Sequence, residues 1–345
     1  MKFISFFFRI RLEKYPEREL GVKSDIFWID DLTWDIKLKF GRRTLQSLIA
    51  VLNAMRMHKR FRDYDIIYVP SDFWAQVIGF VVARLQKIPF VIRLRGNPFE
   101  ARRYLPSLKN RILTRIINIA FSRVDKAIYK RADLIISVCN DLAEKFRKLN
   151  RNVVTVWNGI DNRFIESKLK LRRKSDEIIF GYVGRISREK GVELMLKAIE
   201  DLPIRLLVFG EIQHPITFPK NIEYFGRVPH ERIEEAYSRF DVLVLPSFTE
   251  GLPRTLQEAM LLGKAIICTD VGDNGLLIEK RGGWLCQPNV DSLRKAFYEA
   301  LSVGKREILK MGIYNRHKAK KIFYNWEEYA KKVENIISQY LKPKI

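Results

Sequence analysis

The sequence predicts an α/β chain made of two doubly wound, Rossmann-like domains. Three observations predict it. Short runs rich in Val, Ile and Phe recur in two successive series, segments with helical apolar spacing alternate with them, and a charged stretch without apolar periodicity separates the series. Alternating strand and helix gives parallel sheets covered on both faces. Two such series give two domains, in keeping with 345 residues, which exceed the usual single domain.

The first series reads "DIIYVPSD", "PFVIRLRGN", "ADLIISVCND" and "VVTVWNGID". Each is apolar enough to be buried on both faces and ends in polar or turn residues. The chain start, "MKFISFFFRIRLEKYPE", reads as a first buried strand rather than a leader, because Arg9 interrupts a short apolar run and no small-residue cleavage site follows. Residues 166–177, "ESKLKLRRKSDE", read as the linker. The second series is "EIIFGYVGR", "IRLLVFGE", "IEYFGRV", "DVLVLPSF" and "KAIICTDVG", with helical patterns such as "GVELMLKAIEDL", "HERIEEAYSRF" and "RTLQEAMLLG" between. A last helix carries Tyr329, Val333, Ile336, Ile337 and Tyr340 on one face, which needs cover. The expected domains are therefore 1–165 and 178–322, with 323–345 crossing back onto the first.

Charge is distributed unevenly. Residues 1–173 hold 36 Lys+Arg against 17 Asp+Glu, whereas the remainder holds 27 against 23. The basic half should meet something anionic. No recognised nucleic-acid motif is present, so nucleic acid is not the expected partner. No apolar run is long enough to span a membrane. Cys139, Cys268 and Cys286 have no metal-binding spacing and read as reduced and buried in a cytoplasmic protein.

In open parallel sheets, ligands bind beyond the carboxyl ends of the strands. After "IIFGYV" come Gly184, Arg185 and Lys190, then a helix. Gly184 would let backbone approach a ligand closely. Arg185 and Lys190 suit a pyrophosphate, or else form a solvated basic turn. After "DVLVLP" comes "PSFTEGLPRTLQEAM", with a helix expected from about Thr255. The start of that helix favours an anion. Glu250 and Glu258 are acceptors that hydroxyl groups would satisfy. A phosphate flanked by two polyhydroxylated pieces, a nucleotide sugar, meets all of these demands. Alternatively, Glu250 favours the helix dipole and Glu258 bridges to Lys264 or Arg254.

"GYVGRISREKG", "VFGE", "EYFGRVPHERIEEAYSRFDVLVLPSFTEGLPRTLQEAM" and "GKAIICTDVG", preceded by "ADLIISVCNDLAEKF" and "WNGIDNRF", make the sequence resemble the retaining glycosyltransferases of the GT-B fold, family 4 (glycosyl transferases group 1). The resemblance runs from about Ala132 to Leu301. It implies two domains facing a cleft and transfer of a hexose-type sugar from a UDP- or GDP-sugar, with retention and without a metal or other cofactor. By the same resemblance Arg185 and Lys190 hold the diphosphate, Glu258 takes the ribose hydroxyls, and Glu250 contacts the donor sugar. Glu250, Arg185 and Lys190 are thus the expected catalytic set. Gly184, Gly210 and the backbone of Gly251, Leu252, Pro253, Arg254, Thr255 and Leu256 complete the donor site, and Arg227 and Val228 line the base. Asp63 and Asp65, in "DYD", precede their strand and read as a turn rather than a metal signature.

On the acceptor side only Gly21 is available for the family's N-terminal Gly-rich loop, and Arg95, Gly96 and Asn97 stand where many members place a His. Arg95 either holds an acidic acceptor or bonds its own loop carbonyls. Arg56, Lys59, Arg60 and Arg62, together with the mixed basic and apolar stretch "LKNRILTRIINIAFSRVDKAIYKR", fit an anionic leaflet or a domain helix with a solvated face. The reading is a glycosyltransferase, peripheral at the inner face of the cell membrane, that builds a lipid-linked glycan or cell-surface polysaccharide. A nucleotide-sugar-binding subunit without turnover and a sugar-nucleotide epimerase are the alternatives.

Overall fold

The computed structural model describes residues 3–7, 25–28, 51–56, 58–101, 111–168, 176–219 and 222–341. The chain divides into two compact units, Met1–Asn158 with Trp326–Ile345, and Gly159–Asn325. Gly21 lies outside the described residues, as does most of the stretch read as a linker.

The first unit holds a six-stranded, wholly parallel sheet in the order β2-β1-β3-β4-β5-β6. Its strands are β1 (Phe3–Phe7), β2 (Asp25–Trp28), β3 (Ile66–Pro70), β4 (Phe90–Leu94), β5 (Leu134–Ser137) and β6 (Val153–Thr155). β3, β4 and β5 are buried along their whole length, as suits central parallel strands rich in Ile, Val and Leu. Asp63–Asp65 forms the turn into β3. The helix Phe73–Gln86 starts at Asp72, whose carboxylate accepts from the Ala75 N–H at 3.2 Å.

Charge lies inside this unit: Arg93 and Asp125 are both buried. Arg93, in β4, is 1% exposed. Its guanidinium donates to the carbonyls of Ser137 at 3.2 Å and Val156 at 3.0 Å and to Asn158 Oδ1 at 2.7 Å, so it ties together the ends of β5 and β6. It also lies 5.0 Å from the centre of the Tyr329 ring. Tyr329, Val333, Ile337 and Leu341 form the buried face of the helix Trp326–Leu341. That face explains why the last helix belongs with the first unit.

The second unit holds six parallel strands in the order β12-β11-β10-β7-β8-β9. They are β7 (Ile179–Val183), β8 (Arg205–Phe209), β9 (Ile222–Tyr224), β10 (Val242–Leu245), β11 (Ala265–Thr269) and β12 (Gly283–Cys286). The chain builds outward from β7 to β9, then returns to the other side of β7 and builds β10 to β12. β7 and β10 are therefore neighbours, with Val242 opposite Phe180. The order reverses between them, and such a reversal opens a crevice at the carboxyl ends of the two strands.

Segment 159–168 is fastened to the second unit. Ile160 bridges to Asn325 and donates its N–H to the Tyr324 carbonyl at 3.0 Å. Cys139, Cys268 and Cys286 are buried and form no disulfide. Burial, followed by the charge of Asp270, pushes the Cys286 thiol up to about 12.

The helix Val290–Ser302 begins at Asn289, whose side-chain oxygen accepts from the Ser292 N–H at 2.9 Å. Asn289→Ala should lower stability by about 1 kcal/mol, the usual value of such a cap. A reduced urea midpoint with an unchanged slope would show it.

Candidate active site

The loops after β7, β8 and β9 are nested through glycines. The Gly184 N–H donates to the Phe209 carbonyl at 3.0 Å, and the Gly210 N–H donates to the Gly226 carbonyl at 2.8 Å. A Cβ on Gly210 would lie 1.7 Å from the Gly184 carbonyl oxygen, so only glycine fits there. The Tyr182 hydroxyl donates to the Arg185 carbonyl at 2.6 Å and holds the loop from beneath. Burial, and then the charge of Glu250, raises the Tyr182 phenol above the ordinary range.

The loop after β7 places Arg185 and Lys190 differently. Arg185 is on the surface, with its side chain 56% exposed, 3.2 Å from Glu189 and 3.4 Å from the Gln213 side-chain oxygen. Exposed pairs of this kind are weak, so an incoming anion can take the guanidinium over. Lys190 ends the short turn Arg188–Lys190 and points inward, with Nζ 2.7 Å from Glu250 Oε1. The same Glu250 oxygen accepts from the Ser247 hydroxyl at 2.6 Å.

Glu250 and Gly251 lie in the turn after β10. The Phe248 N–H donates to the Glu189 carbonyl at 2.9 Å, which stitches this loop to the one after β7. From the other side the Asp273 N–H donates to the Gly251 carbonyl at 3.1 Å, and the Thr269 hydroxyl donates to the Ser247 carbonyl at 2.6 Å. Leu252 and Pro253 are buried, and the helix Arg254–Leu261 starts after Pro253 without a side-chain cap. Arg254 is exposed, Thr255 half-buried and Leu256 buried.

Glu258, one turn into that helix, is 2% exposed. Oε1 lies 3.0 Å from His230 Nε2, and Oε2 accepts from the Tyr237 hydroxyl at 2.9 Å. Burial, then the Glu258 charge, holds the Tyr237 phenol well above its ordinary range. The expected partner Lys264 instead gives its ammonium to the Phe240 carbonyl at 2.9 Å. Arg227 is exposed and Val228 half-buried, in the turn that leads to His230.

The sequence reading missed His230, Tyr237 and Ser247. His230 and Tyr237 lie in the segment "VPHERIEEAY", where their signal was a polar ring just before a short acid-rich helix and a phenol near its end.

In the first unit Arg95 is exposed, and its N–H donates to the Ser71 hydroxyl at 3.2 Å. Arg93, two residues earlier in the strand, bonds the carbonyls of Ser137 and Val156. Gly96 is half-buried, and Asn97 Oδ1 accepts from the Phe99 N–H at 3.1 Å, starting the short helix Pro98–Ala101. Arg56, Lys59 and Arg62 are exposed, and the Arg60 side chain lies outside the described residues.

Two family models tile most of the chain. The model for Glycosyltransferase Family 4 matches residues 32–164, and the model for Glycosyl transferases group 1 matches residues 163–318. The chain belongs to the group 1 glycosyltransferases of the GT-B fold. This group 1 glycosyltransferase is 26% identical over 288 residues to the putative teichuronic acid biosynthesis glycosyltransferase TuaC of Bacillus subtilis, covering 79% of this chain and 70% of that one. It is also 26% identical over 331 residues to an uncharacterized glycosyltransferase of Methanocaldococcus jannaschii, covering 88% and 80%. Among solved structures, Anabaena HepE in complex with UDP superposes with a TM-score of 0.74 at 15% identity, covering 98% of this chain and all of that one. Sucrose-phosphate synthase from Thermosynechococcus elongatus gives 0.70 at 20%, covering 90% and 83%. At these identities the structural likeness is one of fold.

Proposed function

We propose that this glycosyltransferase moves a hexose-type sugar from a UDP- or GDP-sugar to a lipid-linked or cell-surface glycan acceptor, with retention and without a metal ion. The observation that carries the reading is the pairing at the β7/β10 switch point. Two cations from one loop and two acids from the other flank an uncapped helix start. Cations and helix dipole suit a diphosphate, and the acids suit the hydroxyls on either side of it.

Lys190 Nζ lies 2.7 Å from Glu250 Oε1. A bound diphosphate would take over Lys190 and release Glu250 to accept from a hydroxyl of the donor sugar. The bond between the anomeric carbon and the diphosphate oxygen breaks, and the acceptor oxygen bonds to the same face of that carbon. The acceptor proton passes to the departing phosphate oxygen. Lys190 and Arg185 stabilise the negative charge that grows on the leaving group. Solved structures of HepE with UDP and with UDP-glucose lend support to a nucleotide-sugar donor, and the putative teichuronic acid biosynthesis glycosyltransferase TuaC to a glycan acceptor.

We place the acceptor at an anionic membrane surface. Among the described residues no helix is long and apolar enough to cross a membrane. The helix Arg111–Arg131, however, exposes Ile116, Ile119 and Val124 beside the exposed Arg115, Arg123 and Lys126. That mixture suits an interfacial position.

The test is a panel of nucleotide sugars, with and without membrane lipid extract, read as released UDP or GDP. One donor should be consumed faster when lipid is present, and EDTA should leave the rate nearly unchanged. Consumption of no donor would remove the reading, as would conversion of the donor into an epimer. Strict dependence on a divalent ion would remove the proposed mechanism.

A further inference from the structure

We propose that His230 is a positioning residue for donor selection. It orients Glu258 toward the ribose hydroxyls and joins that acid to the base-lining turn at Arg227 and Val228. This rests on the nucleotide-sugar reading above and adds to it the device that makes the site choose a ribonucleotide.

A carboxylate as buried as Glu258 must be hydrogen-bonded, because an unpartnered buried charge is costly. Tyr237 serves one oxygen from inside the fold and His230 serves the other. The two partners differ in access, since the His230 side chain is 40% exposed while that of Glu258 is 3% exposed. A ligand arriving from solvent therefore meets the carboxylate on the His230 side. Each carboxylate oxygen has two acceptor sites, so Oε1 can keep the imidazole and still take a hydroxyl. What the hydroxyl requires is a carboxylate plane held in one orientation.

The proton on the ring is fixed by its other neighbours. Arg163 Nη2 lies 2.9 Å from His230 Nδ1. A guanidinium only donates, so Nδ1 accepts and the ring proton sits on Nε2, where it is donated to Glu258. Asp161 Oδ2 is 3.7 Å from Nδ1, beyond hydrogen-bond range. Arg163 is anchored in turn. It donates to the His230 carbonyl at 2.6 Å and to the Glu231 carbonyl at 2.9 Å, and it lies 4.7 Å from the centre of the Phe164 ring. The relay runs from Arg163 through the imidazole to Glu258, so the turn carrying Arg227 and Val228 cannot move without moving the ribose acceptor.

The test uses the full-length protein and titration calorimetry with UDP and GDP, each against its 2′-deoxy and 3′-deoxy counterparts. Wild type should prefer the ribonucleotide over at least one deoxy form by roughly 10-fold or more, because a site built to bond a hydroxyl leaves a buried group unpaired when it is missing. His230→Ala should bring that ratio close to one, with a lowered thermal midpoint because Glu258 Oε1 loses its partner, and should weaken the deoxynucleotide far less than the ribonucleotide. His230→Gln, whose amide can donate where Nε2–H did, should restore much of the discrimination.

The proposal is overturned if His230→Ala keeps the wild-type ratio, or weakens ribo- and deoxynucleotides alike, as a loosened fold would. Failure of His230→Gln to recover any discrimination overturns the hydrogen-bond account. Wild type that binds both forms equally sinks the inference but leaves the nucleotide-sugar reading standing. Wild type that binds neither UDP nor GDP removes both.

Discussion

Lys190→Ala is expected to lower kcat by on the order of 10²- to 10³-fold, the usual loss when a preorganised group that stabilises transition-state charge is removed. Two effects act in the same direction. With donor bound, the diphosphate loses its inward-pointing cation just as charge moves onto the leaving oxygen. Without donor, Glu250 keeps its bond from Ser247 but loses the ammonium 2.7 Å away, in a position where its side chain is only 9% exposed. The nucleotide should bind more weakly too, but by a smaller factor than turnover falls, because in the proposed binding mode the helix start and Arg185 hold the product diphosphate as well. Arg185→Ala should cost less than Lys190→Ala, since an exposed guanidinium is partly screened by water before it ever meets the ligand. Initial-rate kinetics and calorimetry with the nucleoside diphosphate separate the two effects. A Lys190→Ala enzyme turning over within about twofold of wild type would take Lys190 off the leaving group, since so small a change is well under 1 kcal/mol.

Most of the second sheet was legible because its central strands have no choice of environment. "EIIFGYV", "DVLVLP" and "KAIICTD" are apolar on both faces and end at turn residues, and these are β7, β10 and β11. β12 was not legible. It runs only from Gly283 to Cys286, opens on a glycine and buries just its end residues, as the edge strand of the sheet can. β2, Asp25–Trp28, is likewise a four-residue edge strand and left too short a run to read.

At the site, Arg185, Lys190, Glu250 and Glu258 could be picked out because they stand in a recognisable order at the ends of strands. Their pairings could not. Lys190 meets Glu250 across 60 residues of sequence, and His230 meets Glu258 across 28. Lys190 turns inward in a turn that ends at Gly191 with φ +67°, while Arg185 stays at the surface. Arg93 and Arg95 make the same point. The two arginines stand two residues apart, yet Arg93 is enclosed by the ends of β5 and β6 and Arg95 is exposed just past the strand end.

Gly191→Ala should disable the enzyme without unfolding it. Gly191 ends the turn that carries Lys190 and starts the helix Val192–Ala198, and it does so at φ +67°, where a side chain costs about 1 kcal/mol. Strain of that size is common and survivable. The larger effect is steric: a Cβ here would lie 1.9 Å from the Pro246 carbonyl oxygen. Backbone atoms of a central strand end cannot swing away as a side-chain tip would, so the loops after β7 and β10 must separate. The two contacts that stitch them, Phe248 N–H to the Glu189 carbonyl and Lys190 to Glu250, lie within a few residues of the clash. Misplacing a reacting group by about 1 Å can cost on the order of 10²-fold, so kcat/KM should fall by at least that much.

Gly304→Ala is the control that separates strain from clash. Gly304 has φ +76°, and a Cβ there meets nothing within 4 Å. It should lose stability through the same backbone conformation yet turn over at the wild-type rate. Thermal unfolding and initial rates on the two variants decide the matter. If Gly191→Ala and Gly304→Ala lose stability alike and both keep full activity, the fit between Gly191 and Pro246 does not hold the catalytic loops together. If only Gly191→Ala loses turnover, the close approach of those two loops, rather than the strength of the sheet beneath them, sets the geometry of the site.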